Sequence, residues 1–238
     1  MTISLIIPTL REALNLEILL PQACAALSSE VGSDFEVVIV DDDSRDGTDK
    51  VIEAASRTCR VRLIVRKGEK GLSSAVIRGF AESSGDAVIV MDADLSHPPG
   101  LLSEIAKYLK QGYDLVLPSR YMKGGGVEVW PLDRRILSWG ATLMARPLTP
   151  VRDPMSGYFA FQRPVIDGVR LDPVGFKILL EILVRGRYDR KKTIEIPYVF
   201  KNRNIGSSKL DGKVSGEYVK HLGKLYSYAI GSLFRKKG

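Results

Sequence analysis

Histidine is almost missing from this chain. His97 and His221 are the only two in 238 residues, which leaves little for a histidine-built metal centre or a Ser-His-Asp triad. Any chemistry has to rest on carboxylates and cations. Cysteine is equally scarce: Cys24 and Cys59 sit in stretches that read as helical, without CxxC spacing. That argues against zinc and against a disulfide framework, and predicts free thiols in a reducing, cytosol-facing compartment. No apolar run approaches the roughly 20 residues of a membrane span, and Met1 leads directly into a strand pattern with no secretory leader. Zinc-finger spacing, an RNP-like aromatic motif and a basic-leucine heptad array are missing too, so nucleic acid is not the expected partner.

What the chain has is an ordinary core and an excess of positive charge. Hydrophobic residues make up 45%, enough for one large core in an α/β enzyme. The formal net charge is +7 and the pI is near 9.4. Both point to an anionic partner without choosing among nucleic acid, phosphate substrate and anionic lipid. The basic residues gather late, at Arg134 and Arg135, Arg185 to Lys192, Lys201 to Lys209, and Arg235 to Lys237.

The first half alternates two periodicities. Ile3 to Pro8, Phe35 to Val40, Val61 to Val65 and Ala87 to Met91 read as strands, and Ala13 to Leu27, Thr48 to Arg57 and Ser73 to Ser83 as helices. Strands separated by helices predict a mostly parallel central sheet with helices on both faces, its ligands bound beyond the carboxyl ends of the strands. Two acidic clusters sit at those ends: Asp41, Asp42 and Asp43 after the second strand, and Asp92 with Asp94 after the fourth. The loop after the first strand, Pro8-Thr9-Leu10-Arg11-Glu12, contains no glycine. A dinucleotide-binding GxGxxG loop is thereby excluded, and a Walker A loop is absent as well.

The sharpest local signal is Asp92-Ala93-Asp94, delivered to a strand end by the apolar run Val88, Ile89, Val90 and Met91. Ionised carboxylates at such a place need a partner. A hard cation, Mg2+ or Mn2+, fits oxygen ligands with no cysteine nearby and keeps open positions for phosphate oxygens. Side chains capping the next turn are the other reading. The same duality holds for residues 41–49, which face a ligand or cap the helix near Thr48. Arg134 and Arg135 read as substrate cations or as a solvated helix face. Gly124, Gly125 and Gly126 read as a plain connection or, with Trp130 and the arginines, as a mobile loop that closes over a donor.

Together these residues carry a resemblance. Pro8, Glu12 and Asn15, then Val40, Asp41, Asp42, Ser44, Asp46, Gly47 and Thr48, then Asp92, Ala93 and Asp94 resemble the successive motifs of inverting family 2 glycosyltransferases with the GT-A fold. Within that family the chain is most similar to the dolichyl-phosphate (polyprenyl-phosphate) mannose synthase group. The residues are Gly71 to Ala75, Met91 to Pro99, Ser119-Arg120-Tyr121, Trp130-Pro131, Arg134-Arg135, Asp153 to Gly157, Gly175 to Glu181 and Gly206 to Leu210. The resemblance spans about residues 2 to 215 and lies in the order and spacing of motifs that are each weak alone.

The resemblance implies roles. Pro8, Glu12, Val40 and Asp42 would hold the guanosine, and Asp92, Ala93 and Asp94 would meet the ribose, the metal (Mg2+ or Mn2+) and the diphosphate. Ser96 stands where some relatives carry a metal-ligating Gln. Arg120, Lys177, Arg203 and Lys209 would be the cations around the donor phosphates, and Arg120, Arg134 and Arg135 would receive the acceptor phosphate. Asp92, Asp94 and Arg120 would be the catalytic residues. The implied reaction is transfer of mannose from GDP-mannose to dolichyl or polyprenyl monophosphate with inversion. The acceptor phosphate is already an anion, so no strong base is needed, and the shortage of histidine follows. A UDP-glucose-dependent polyprenyl-phosphate glucosyltransferase is the alternative, and a non-catalytic module binding anionic lipid or RNA the distant one.

The expected organisation is a GT-A domain over residues 1–212 and an amphipathic, basic, membrane-facing helix over residues 213–238. Tyr218, Val219, Leu222, Leu225, Tyr226, Ala229, Ile230, Leu233 and Phe234 recur at helical spacing there, and the stripe reads equally as core-facing. Membrane association at the cytosolic face follows, at the endoplasmic reticulum in a eukaryote or the cell membrane in a prokaryote. Relatives carry C-terminal transmembrane helices or depend on small membrane-anchoring subunits, and either arrangement is open for this chain.

Overall fold

Strand β1 (Ile3–Thr9) is buried at every residue and alternates between two cores. Ile3, Leu5 and Ile7 face one cluster, with helices α1 (Ala13–Val31), α2 (Thr48–Ala55) and α4 (Leu101–Lys110). Ile6 faces the other, with α3 (Leu72–Glu82) and α6 (Ile178–Arg185). A strand covered on both sides is apolar along most of its length, and the two buried hydroxyls in this one, Ser4 and Thr9, are satisfied by the carboxylates of Glu36 and Asp41. Strands β2 (Phe35–Asp41), β3 (Val61–Val65) and β4 (Ala87–Val90) join β1 in parallel, with Ile6 opposite both Val38 and Val90.

The computed structural model describes residues 1–128, 130–172, 175, 177–201 and 212–235, with backbone alone for residues 133, 134, 212–215 and 233–235. Among these, β5 (Leu115–Ser119), β7 (Phe159–Gln162) and β8 (Thr193–Pro197) complete a sheet of order β3-β2-β1-β4-β7-β5-β8, in which β7 runs antiparallel to both neighbours. The expected mostly parallel sheet with helices on both faces is present. The order reverses between β1 and β4, the place where open α/β sheets bind ligands beyond the carboxyl ends of their strands.

A separate ribbon pairs β6 (Gly126–Val127) with β9 (Val199–Phe200). It includes the end of the glycine stretch that the sequence reads as a plain connection or a mobile loop. Gly126 N–H donates to Tyr198 O and Glu128 N–H to Phe200 O, both at 3.0 Å. A side chain on Gly125 would meet Ser119 O at 2.5 Å, so glycine here serves close packing.

The free-thiol expectation is corrected, because Cys24 and Cys59 form a disulfide. Cys24 lies in α1, but Cys59 lies in the turn after α2, not in a helix. Packing of α1 against α2 brings their Cα atoms to 6.2 Å, within bridging reach. The bond removes the support that free thiols lent to a reducing compartment.

Helix α5 (Leu132–Ala145) and helix α7 (Gly212–Arg235) lie against each other beside α6. Tyr218 and Tyr226 hydroxyls each donate to a carbonyl of α5, Ala141 O and Met144 O, at 2.7 Å. Tyr218, Leu222 and Leu225 are buried with Ala145, Met155 and Leu180, whereas Val219, Tyr228 and Ile230 are exposed. The stripe in the tail thus splits into a core-facing row and an outward row. No helix among the described residues is long and apolar enough to cross a membrane.

Candidate active site

The first two loops at the sheet's carboxyl edge are knitted together. Arg11 N–H donates to Ser44 Oγ (2.7 Å) and Ala13 N–H to Asp46 Oδ2 (3.1 Å). Asp46 also accepts from Thr48 N–H and Oγ, so it ties the first residue of α2 to the start of α1. Asp41 accepts from Thr9 Oγ, Ser44 Oγ and Ser44 N–H and shapes its own turn. Asp43 is paired with exposed Arg45.

Asp42 differs from both. Its Oδ1 receives Nε and Nη2 of Arg66, at 2.7 and 2.5 Å, and its Oδ2 receives Gly71 N–H at 3.0 Å. Arg66 is itself buried and continues to Ser74 Oγ and Gly71 O. This anchored carboxylate keeps room on Oδ2 for one more donor. Pro8 and Val40 are buried opposite each other in register, and Glu12 precedes α1 with its Oε2 accepting from Asn15 Nδ2.

Past β4, Asp92 is partly exposed while Asp94 is 3% exposed. Asp94 Oδ1 accepts Ser96 N–H at 3.1 Å, and Leu95 between them has φ of 62°. Ser96 Oγ is buried with no hydrogen-bond partner. Gly157 closes against Asp92, where an added Cβ would lie 2.9 Å from Oδ2. His97 is buried under the turn and accepts Asp92 N–H on Nδ1 at 3.0 Å. Burial pushes its pKa below the ordinary histidine value, against the pull of Asp92 and Asp94, so the ring is neutral.

Arg120 is buried against Asp153, with its N–H and Nε on Oδ2 (3.0 and 2.7 Å) and Nη2 on Oδ1 (2.7 Å). Burial opposes its charge, but the pairing with Asp153 outweighs that and raises its pKa, so it is always cationic. Its guanidinium lies 5.3 Å from the Trp130 ring centre and 5.8 Å from that of Phe200. Lys177 Nζ donates to Met155 O. Arg135 is exposed in the first turn of α5, Arg134 is in the same turn with its side chain outside the description, and Arg203 and Lys209 lie outside the described residues.

The sheet therefore gathers Pro8, Glu12, Val40, Asp42, Asp92, Ala93, Asp94 and Ser96 along one edge. Sequence reasoning missed the roles of Arg66, His97, Asp153 and Gly157. Asp153 and His97 lie inside quoted motifs, but an arginine following β3 carries no local mark of its partner.

Two carboxylates and an orphaned buried hydroxyl form an oxygen donor set that suits a hard cation. Residues 4–170 match the family described as Glycosyl transferase family 2. The chain belongs to that family. Among family 2 relatives, a dolichol-phosphate mannosyltransferase of Pyrococcus furiosus is 46% identical over 96% of this chain and 64% of its own length. One from Saccharomyces cerevisiae is 39% identical, over 96% of this chain and 88% of its own. The chain thus spans less than two thirds of the archaeal relative. The fold is shared with glucosyl-3-phosphoglycerate synthase of Mycobacterium tuberculosis, solved with Mn2+, UDP and glucosyl-3-phosphoglycerate. The TM-score is 0.62 at 18% identity, covering 98% of this chain and 79% of that one.

Proposed function

We propose that this family 2 enzyme transfers mannose from GDP-mannose to a polyprenyl monophosphate such as dolichyl phosphate, inverting the anomeric carbon and releasing GDP. The observation that carries this reading is identity of 46% and 39%, along nearly the whole chain, to enzymes named for that transfer. The site chemistry agrees. The acceptor oxygen is already anionic, so attack requires alignment and charge management more than proton removal. His97, neutral and buried, is not cast as a base.

Asp92 and Asp94, with Ser96 Oγ, would hold Mg2+ or Mn2+, whose contribution when bound is to stabilise negative charge on the leaving diphosphate. The donor set fits in kind: carboxylate and hydroxyl oxygens, with Ser96 Oγ buried and without a partner, are the ligands a hard cation takes. Asp42, anchored by Arg66, and Glu12 would accept from nucleoside donors, with Pro8 and Val40 as the wall behind. Lys177, Arg203 and Lys209 belong with the donor phosphates, and Arg120, Arg134 and Arg135 with the acceptor phosphate.

A polyprenyl acceptor lies in a membrane, and α5 supports an approach to one. Leu132, Ile136, Trp139 and Leu143 recur along one stripe of that helix at 71, 60, 61 and 54% exposure, with Leu137 and Met144 beside them and Arg135 and Arg146 exposed. Apolar rows flanked by arginine suit an anionic interface. This helix and the outward row of α7 would rest on the cytosolic leaflet, alone or with small anchoring subunits. A panel of GDP-mannose, GDP-glucose and UDP-glucose, assayed with one polyprenyl phosphate and Mn2+, tests the reading. Release of GDP from GDP-mannose only when the lipid phosphate is present is expected; preferential use of UDP-glucose overturns it.

A further inference from the structure

The segment Asp92 to His97 closes on itself through a histidine to which the reaction as described assigns nothing. The His97 ring stacks on Tyr158 with centres 5.0 Å apart and meets Tyr198 and Phe200 edge-on at 5.9 and 5.8 Å. Packed on three sides, it has no freedom to turn. Nδ1 accepts the Asp92 N–H, so in the neutral ring the proton resides on Nε2. That nitrogen lies 3.9 Å from Asp92 Oδ2, on the side where Gly157 leaves no space for a side chain.

The same ring connects to the cation side of the site. Phe200, against which His97 packs, also contacts Trp130 with centres 5.4 Å apart and lies under Arg120. Lys201 N–H, next in the chain, donates to Ser96 O at 3.1 Å. Displacing the histidine would therefore shift the acidic turn relative to Arg120.

We infer that His97 is a positioning residue: its Nδ1 fixes the Asp92 backbone and its Nε2–H faces the Asp92 carboxylate, so that Asp92 and Asp94 are set for the metal–diphosphate. This rests on the metal reading above. Partners standing behind metal ligands typically affect metal affinity or activity by about 10- to 100-fold, and a similar loss is expected here.

The test compares His97→Asn with His97→Leu, side chains of nearly equal size of which only the first supplies an acceptor, and adds His97→Phe to preserve the stacking. Calorimetric titration of Mn2+ in the presence of GDP is read beside kcat, KM for GDP-mannose and a melting curve. In the Leu and Phe variants, Mn2+ affinity and kcat should fall about 10- to 100-fold, more than KM changes, and Asn should recover part of both. Parent-like Mn2+ binding in the Leu and Phe variants overturns the proposal, and so does equal loss in Asn and Leu. Asp94→Ala, run alongside, separates the two ideas: if it binds Mn2+ normally the metal reading itself fails, and this inference with it. If Asp94→Ala loses Mn2+ while the His97 variants retain it, only this inference fails.

Discussion

Asp41, Asp42 and Asp43 are consecutive, yet the structure gives each a different neighbour. Asp41 folds the turn through Ser44 and Thr9, Asp43 pairs at the surface with Arg45, and Asp42 is clamped by Arg66 at the site's edge. The cluster was legible as acidic and loop-borne. Its division of labour was not, because Arg66 and Gly71 arrive from the far side of β3. Asp94→Ala should abolish mannosyl transfer while the melting curve stays near the parent's, and substantial activity in that variant or after EDTA would count against a metal. A second carboxylate, Glu36, lies at the opposite edge. Burial alone would raise its pKa, but hydrogen bonds from Ser84 N–H, Ser4, Arg62 and the Ser84 hydroxyl outweigh that and lower it. A lowered pKa means stability that is present above the unfolded value and lost as pH falls through the folded one. Glu36→Gln should therefore cost about 1–3 kcal/mol at pH 7, with the difference shrinking in acid. Urea midpoints of both proteins at neutral pH and below the ordinary carboxylate range would check this.

At the scale of elements, α5 and α7 divide the basic, apolar material of the C-terminal half between core and surface. Leu225 is fully buried against α5 and α6, so Leu225→Ala should destabilise by about 2–5 kcal/mol. Val219→Ser on the outward row should stay within about 0.5 kcal/mol. Chemical denaturation distinguishes them. Removal of residues 218–238 would strip the buried row with the exposed one, so it cannot isolate a membrane role. Paired substitution of Trp139 and Leu143 by Ser can. Burying one large apolar side chain is worth about 1.5–3 kcal/mol, so the pair should lower partitioning onto anionic vesicles about tenfold or more, while GDP-mannose binding is spared. Sedimentation with vesicles measures it, and unchanged partitioning would remove α5 from the interface. The periodicity of the tail showed an amphipathic helix. It could not show that Tyr218, Leu222 and Leu225 were already covered, nor that α5 carries an exposed row of its own.

For the molecule as a whole, the Cys24–Cys59 bond ties α1 to the turn before β3 across a separation of 35 residues. Closing a loop of that length is worth about 4 kcal/mol in the chain-entropy account. Reductant should therefore lower the melting temperature of the parent but leave Cys24→Ser, already destabilised, unmoved. Coincident melts of the oxidised and reduced parent would show that the bond contributes nothing. The alternation of strands and helices, the acidic strand ends and the order of motifs were all decided by local spacing. Backbone periodicity and side-chain polarity are properties of neighbours in the chain. Tertiary structure alone decided the disulfide, the Arg66–Asp42 clamp across 24 residues and the Arg120–Asp153 pair across 33. Those contacts depend on sheet register and on which helix faces meet, and neither leaves a periodic trace in the residues that make them.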